Sequence, residues 1–231
     1  MSQLIFIDSN LTDYQSLIDG LPEGSQWIVL DSEKDGVEQI LQATSGSTDL
    51  DAIQIFSHGS AGSLQLGSTL LTSTNLDLYQ QQLEVIGQSL SDTGDILLYG
   101  CNVAEGKNGE AFVDRLSALT QADIAASNNL TGADALGGDW DLEYINGAIA
   151  APKLAVDQYQ HSLSTLYSDD FSNINSHSSN CYPPTVGIEE QTTNKKLLRI
   201  TDLLGRETKQ TNQPLFYIYD DGTVEKRIVI E

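Results

Sequence analysis

Positive charge is scarce in this chain: 11 Lys and Arg stand against 33 Asp and Glu, a formal net charge of −22 at pH 7. A field of that sign repels nucleic acid and anionic lipid, so neither is expected as a partner. It favours solubility and suits a secreted, halophilic or calcium-rich setting. The imbalance is concentrated in residues 1–163, where four Lys and Arg face twenty-three Asp and Glu; residues 164–231 hold seven against ten. Long apolar runs are missing too. No stretch approaches the ~18 apolar residues of a membrane span, so none is expected. The start, Met1-Ser2-Gln3-Leu4-Ile5-Phe6-Ile7-Asp8, has no basic region and too short an apolar core for a secretory signal, and reads as a first strand. Cysteine is limited to Cys101 and Cys181. One ends an apolar run and the other sits among Ser and Asn, so a structural disulfide is not expected.

What the chain does have is a repeated βα pattern. Leu4–Asp8 predicts a strand, and Asp13 then caps a helix carrying Leu17, Ile18 and Leu21. Trp27–Asp31 predicts a second strand. Asp35–Thr44 follows as a helix with Val37, Ile40 and Leu41 at core-facing spacing. Ala52–Phe56 and Ile96–Tyr99 are short apolar runs of the kind buried on both faces of a parallel sheet. Between them, Ser63–Leu71 suggests a hairpin turned by Gly67, and Leu76–Leu90 a long helix. Gly109–Thr120 places Phe112, Val113, Leu116 and Leu119 on one helical face. Asp123–Ala126 is another strand, and Trp140–Tyr144 with Ala148–Ala150 predicts a final hairpin around Asn146-Gly147. Together these units predict an α/β fold, a doubly wound and mainly parallel sheet. Residues 164–193, rich in Ser, Asn and Thr with a Pro183-Pro184 pair, read as a linker. Residues 194–231 alternate apolar and polar side chains around Leu204-Gly205 and Asp221-Gly222, which predicts a small all-β unit.

Two tripeptides carry the chemistry. Ser57-His58-Gly59 and Gly100-Cys101-Asn102 each follow an apolar strand. Active groups of open α/β sheets collect at the carboxyl ends of strands, so both can face one crevice. A thiol of ordinary pKa, about 8.5, is mostly protonated at neutral pH, while the thiolate is the nucleophile. An imidazole beside it takes that proton, which makes His58 the candidate base and Cys101 the candidate nucleophile. Acyl transfer also needs donors for the developing oxyanion. A glycine lets its N–H approach closely, so Gly59 and the N–H of Cys101 are the natural pair. This chemistry requires no cofactor and no metal. His177 and Cys181 have one metal-ligand spacing without a second pair. Asp139 and Asp141 alternate about Trp140 with no twelve-residue calcium loop around them, and His161 reads as a surface residue.

The stretches LIFIDSN, IVLD, DGVEQI, IFSHGSAGSLQLG, DILLYGCNVAEG, DIAASNNLTG and GGDWDLE, spread over residues 4–163, closely resemble domain-of-unknown-function family 4347. That family stands near the start of very large bacterial, often cyanobacterial, surface and adhesin-like proteins. Its His-Gly and Gly-Cys blocks are similar to those of the caspase-like cysteine peptidases: caspases, gingipains, legumain and the self-cleaving domains of secreted toxins. The interval between His58 and Cys101 is also close to the ~50 residues of caspases. The resemblance implies a caspase-like fold for residues 1–163, with His58 and Cys101 as catalytic pair. It further implies a pocket for the residue before the scissile bond, lined by Asp8 and Ser9 and by Ser127 and Asn128. An acidic pocket floor at Asp8 would select Lys or Arg; the competing role for Asp8 is to cap a helix start near Asn10. The words LLRITDLLGRE and PLFYIYDDGTVEKRIVIE resemble the sorting domain of the type IX secretion system, which implies a secreted or cell-surface bacterial protein. Two functions are consistent with these readings. One is a cysteine endopeptidase or self-processing module acting on a polypeptide substrate or its own parent chain. The other is a catalytically idle caspase-like recognition or adhesin module.

Overall fold

The structure, a computed structural model, describes residues 2–164 together with the backbone of three later strands, Leu197–Thr201, Pro214–Tyr219 and Val224–Ile228. Most of the expected linker, with His177, Cys181 and the Pro183-Pro184 pair, lies outside the described residues. Contacts divide the chain into a unit of Met1–Pro184 and a unit of Thr185–Glu231.

In the first unit the apolar runs become strands. β1 (Gln3–Asp8), α1 (Tyr14–Asp19), β2 (Gln26–Leu30), α2 (Gly36–Thr44) and β3 (Leu50–Phe56) alternate in chain order. Three short strands come next, β4 (Gly59–Ser60), β5 (Ser63–Leu66) and β6 (Thr69–Thr72). A turn of 3₁₀ helix at Leu76–Tyr79 then leads into α3 (Gln80–Gly87), β7 (Leu90–Tyr99), α4 (Gly106–Thr120), β8 (Asp123–Ala126) and β9 (Tyr144–Asn146). The main sheet has the order β2-β1-β3-β7-β8-β9. All its pairings are parallel except the last, β8 with β9. The fold is therefore mixed α/β around a mainly parallel centre. A separate antiparallel sheet, β4-β5-β6, is turned at Gly67, whose positive φ of 57° favours glycine.

Pleating sends alternate residues of each strand to opposite layers. Phe6, Ile53, Ile55, Ile96, Leu98 and Ile124 face α2, α3 and α4, where Val37, Ile40, Leu83, Ile86, Phe112 and Leu116 complete one core. Ile5, Ile7, Ala52, Phe56, Leu97 and Tyr99 face the other way, against Leu17 of α1 and the irregular residues Ala151, Leu154, Val156, Tyr159 and Leu163. Asp35 caps α2 by accepting from the Glu38 N–H at 3.1 Å, as its position before an apolar helix predicts.

Three local expectations change. Asp13 precedes α1 in a left-handed conformation without a side-chain cap, and the helix stops at Asp19, before Leu21. The helix expected to reach Leu90 ends at Gly87, and Leu90 already opens a ten-residue β7. The expected hairpin at Asn146-Gly147 does not form: β9 pairs back on β8, and the residues after it use carboxylates as partners. Ala148 N–H donates to Asp123 Oδ2 at 2.8 Å, while Ala150 and Ala151 donate to Asp95 Oδ2 at 2.8 and 2.7 Å. Backbone donors satisfied by side chains need no second strand.

In the second unit, β10 (Leu197–Thr201), β11 (Pro214–Tyr219) and β12 (Val224–Ile228) form an antiparallel sheet in chain order.

Candidate active site

β3 and β7 are adjacent and parallel, with Phe56 opposite Tyr99, so the residues that leave their carboxyl ends stand side by side. The Ser57 N–H donates to Tyr99 O at 2.9 Å, extending the pairing by one residue. Beyond it, Gly59 packs on the Cys101 turn. A Cβ added at Gly59 would lie 2.6 Å from Val103 Cγ2, 2.9 Å from Cys101 O and 3.0 Å from Gly100 C. Only glycine lets the two chains approach this closely. The turn after Cys101 has Asn102 at φ 59°, a left-handed conformation that Asn tolerates better than most residues. The loop after β8 secures that turn: Asn102 N–H donates to Asn129 O at 2.8 Å and Ala104 N–H to Ser127 O at 2.9 Å.

Cys101 is a fully buried thiol. Thr131 N–H donates to its Sγ at 3.4 Å, and Sγ lies 3.6 Å from Thr131 O. His58 is held by main-chain groups. Its Nδ1 is 3.0 Å from Leu163 O and its Nε2 is 3.2 Å from Asn10 O. Leu163 also reaches the cysteine side, because its N–H donates at 2.9 Å to the same Thr131 O that faces Cys101 Sγ.

The four residues expected to line a pocket separate into two pairs, at the ends of β1 and β8, with β3 and β7 between them. Asp8 is fully buried. Its Oδ1 accepts from Asn10 N and Nδ2, both at 2.8 Å, and its Oδ2 from Gly67 N at 2.6 Å and Ser57 Oγ at 3.4 Å. Asn10 and Gly67 thus bond both carboxylate oxygens, tying the Asp8 side chain to the turn after β1 and to the β5–β6 turn, while the Ser57 hydroxyl has its closer partner in Gln65 O. Ser9 Oγ accepts from Ser32 N at 3.0 Å. Ser127 is fully buried with its hydroxyl on Asn129 O at 3.1 Å, and exposed Asn128 donates its N–H to Glu143 Oε2 at 2.9 Å. His161 is half-buried with its ring edge-on to Tyr159, at a centroid distance of 5.5 Å, and is no surface bystander. Asp139 and Asp141 are tied to each other through the Asp141 N–H, and Asp141 pairs with Lys153 at 2.7 Å.

Sequence reasoning missed Asn10, Thr131 and Leu163, which touch the His-Cys pair through backbone atoms. The one legible trace is Asp8-Ser9-Asn10 after a strand, the spacing of an Asx turn. Tyr159, which reaches across to Thr12 O at 2.8 Å, has its phenol pushed upward by burial, with the charges of Asp13 and Cys101 adding to the effect.

Fold and site together define a parallel-sheet α/β domain carrying a His-Gly turn and a Gly-Cys turn at adjacent strand ends. Residues 4–164 match the family model described as Domain of unknown function (DUF4347). The chain belongs to this family. No curated protein and no solved structure matches it significantly. Among the described residues no helix is long and apolar enough to cross a membrane.

Proposed function

We propose that residues 1–163 are a caspase-like cysteine endopeptidase or self-processing module of a secreted or surface-exposed bacterial protein. Cys101 is the nucleophile and His58 its proton partner. The observation that carries this reading is the seating of Gly59 directly on the Gly100-Cys101 peptide, where the His-Gly and Gly-Cys segments leave the carboxyl ends of neighbouring parallel strands. The carbonyl oxygens of Leu163 and Asn10, 3.0 and 3.2 Å from its two ring nitrogens, hold the His58 ring in one orientation. In this reading the thiolate attacks a peptide carbonyl, the N–H groups of Gly59 and Cys101 receive the oxyanion, and the His58 proton passes to the leaving amine.

The complete burial of Cys101 favours a second reading, in which the same fold is a recognition or adhesin module with an idle pair. Alkylation separates the two. Iodoacetamide labelling of Cys101 at a rate independent of pH near neutrality, with peptide-library hydrolysis that disappears in Cys101→Ala, is the expected result. Labelling that rises with pH like an ordinary thiol, without hydrolysis, identifies the idle module.

A further inference from the structure

The peptide nearest the pair belongs to the chain itself. His161-Ser162-Leu163 runs antiparallel to Thr131-Gly132-Ala133, with Ser162 opposite Gly132. Ala133 N–H donates to His161 O at 3.0 Å, and Leu163 N–H donates to Thr131 O at 2.9 Å. An extended segment that adds itself to an exposed backbone edge and buries alternate side chains is how strand-type clefts take peptides. Leu163 is fully buried while Gln160 is exposed. Gly132 is shaped for this seating. Its φ is 132°, and a Cβ there would lie 2.5 Å from His161 O and 2.7 Å from Ser162 Cα. At the end of the segment, the Leu163 carbonyl points its oxygen at His58 Nδ1, 3.0 Å away, and the Leu163 amide shares the Thr131 acceptor with Cys101 Sγ.

We infer that His161-Ser162-Leu163 is the site's own peptide substrate, and that the Leu163–Ser164 bond is the one Cys101 cleaves in cis. This rests on the peptidase reading above and adds the substrate to it. The cysteine proton passes to His58 as the sulfur attacks. The Cys101 sulfur adds to the Leu163 carbonyl carbon, whose oxygen, 3.0 Å from His58 Nδ1, becomes the oxyanion that the N–H groups of Gly59 and Cys101 receive. The adduct collapses by breaking the Leu163–Ser164 C–N bond. His58 gives one proton to the departing Ser164 amine, and Leu163 remains as a thioester on Cys101. Water then hydrolyses the thioester, leaving a Leu163 carboxylate and restoring the cysteine proton. The products are residues 1–163 and the free-amine chain that begins at Ser164. The leaving fragment is the less acidic part of the chain, so cleavage separates the acidic domain from its carboxyl-terminal neighbour.

The test uses the full 231-residue chain, followed by intact mass near neutral pH, beside Cys101→Ala and Cys101→Ser, with circular dichroism to verify their folds. The expected result is conversion of the wild type to a fragment ending at Leu163, at a rate unchanged by protein dilution. It is lost in Cys101→Ala and slowed in Cys101→Ser. A rate that falls on dilution overturns cleavage in cis. Hydrolysis of added peptides, or Cys101-dependent cleavage at another bond, with Leu163–Ser164 intact overturns the inference and leaves the peptidase reading standing. Absence of any Cys101-dependent cleavage overturns both.

Discussion

The two faces of the parallel sheet are built by different means. On one, three helices supply aliphatic side chains at regular spacing, and the buried hydroxyls of Thr44 and Thr120 bond back to carbonyls of their own helices. On the other, the six-residue α1 covers only part of the surface, and irregular chain from Ala151 to Leu163 covers the rest. That second face contains buried polar groups. Tyr99 OH donates to Gln54 Oε1 at 3.1 Å and accepts from Leu154 N at 2.7 Å, and Gln54 Nε2 reaches Gln3 Oε1 at 3.0 Å and Pro152 O at 3.2 Å. Phe56 stacks on Tyr99 with centroids 4.4 Å apart, and Trp140 tilts against both. Packing by periodic helices resists local opening. An irregular strap, held by its buried side chains and by hydrogen bonds to groups distant in sequence, can lift more readily than a helix layer while the sheet stays folded, and Cys101 shares its core cluster.

The contrast is sharpest on the helical face, where Leu98→Ala is expected to cost about 2–5 kcal/mol of global stability in urea denaturation. A loss confined to amide exchange of the strap would contradict the layer assignment. Tyr99→Phe leaves Leu154 N and Gln54 Oε1 without their partner, and should cost about 1–3 kcal/mol. Hydrogen exchange should show that loss first in residues 151–163. The same face should weaken in alkali. Burial raises the Tyr99 phenol above its ordinary value, so its stabilising contribution is complete below pH ~10 and declines as pH rises beyond it. A melting temperature unchanged between pH 9 and 11 would sink that expectation. Gly132→Ala meets both an unfavourable φ and the strap backbone, at a cost of about 1–3 kcal/mol. It should speed alkylation of Cys101 by loosening residues 161–163. The smallest effect belongs to the α2 cap, where Asp35→Ala should cost about 1 kcal/mol. Burial works to raise the Asp35 pKa, but the Tyr79 hydroxyl and the Glu38 N–H outweigh it and hold the carboxyl below its ordinary value. Its contribution is therefore present above pH ~4 and fades as pH falls through the lowered value, so wild type and variant should converge in acid.

The same contrast explains what could be read from the sequence. The helical face was legible because Val37, Ile40, Phe112, Val113 and Leu116 repeat with helical period, and the central strands because their apolar runs are bounded by Asp and Gly. His58 and Cys101 were legible as residue types after strands. The strap was not. Its donors are met by Asp95, Asp123 and Tyr99, which lie far away in sequence, and such partnerships leave no local period. The start of β7 escaped for a related reason: Ser91-Asp92-Thr93-Gly94 is polar and precedes the apolar part of the strand. Asp8 shows how little a residue type decides by itself, since a carboxylate at a strand end fits a pocket floor or a loop anchor equally well, and its bonds to Asn10 and Gly67 emerge only from the fold.

The main-chain fastening of His58 bears on how this site changes over generations. In many nucleophile sites a separate acidic side chain orients the histidine, and a single codon change removes it. Here the ring faces the carbonyl oxygens of Asn10 and Leu163, atoms that every amino acid supplies. Drift at either position leaves the oxygen in place as long as the backbone keeps its path. The residues whose identity holds that path are Asp8 on one side, through Asn10 and Gly67, and Gly132 on the other. Selection to retain the histidine's orientation would then fall on an aspartate and two glycines rather than on the positions that touch the ring.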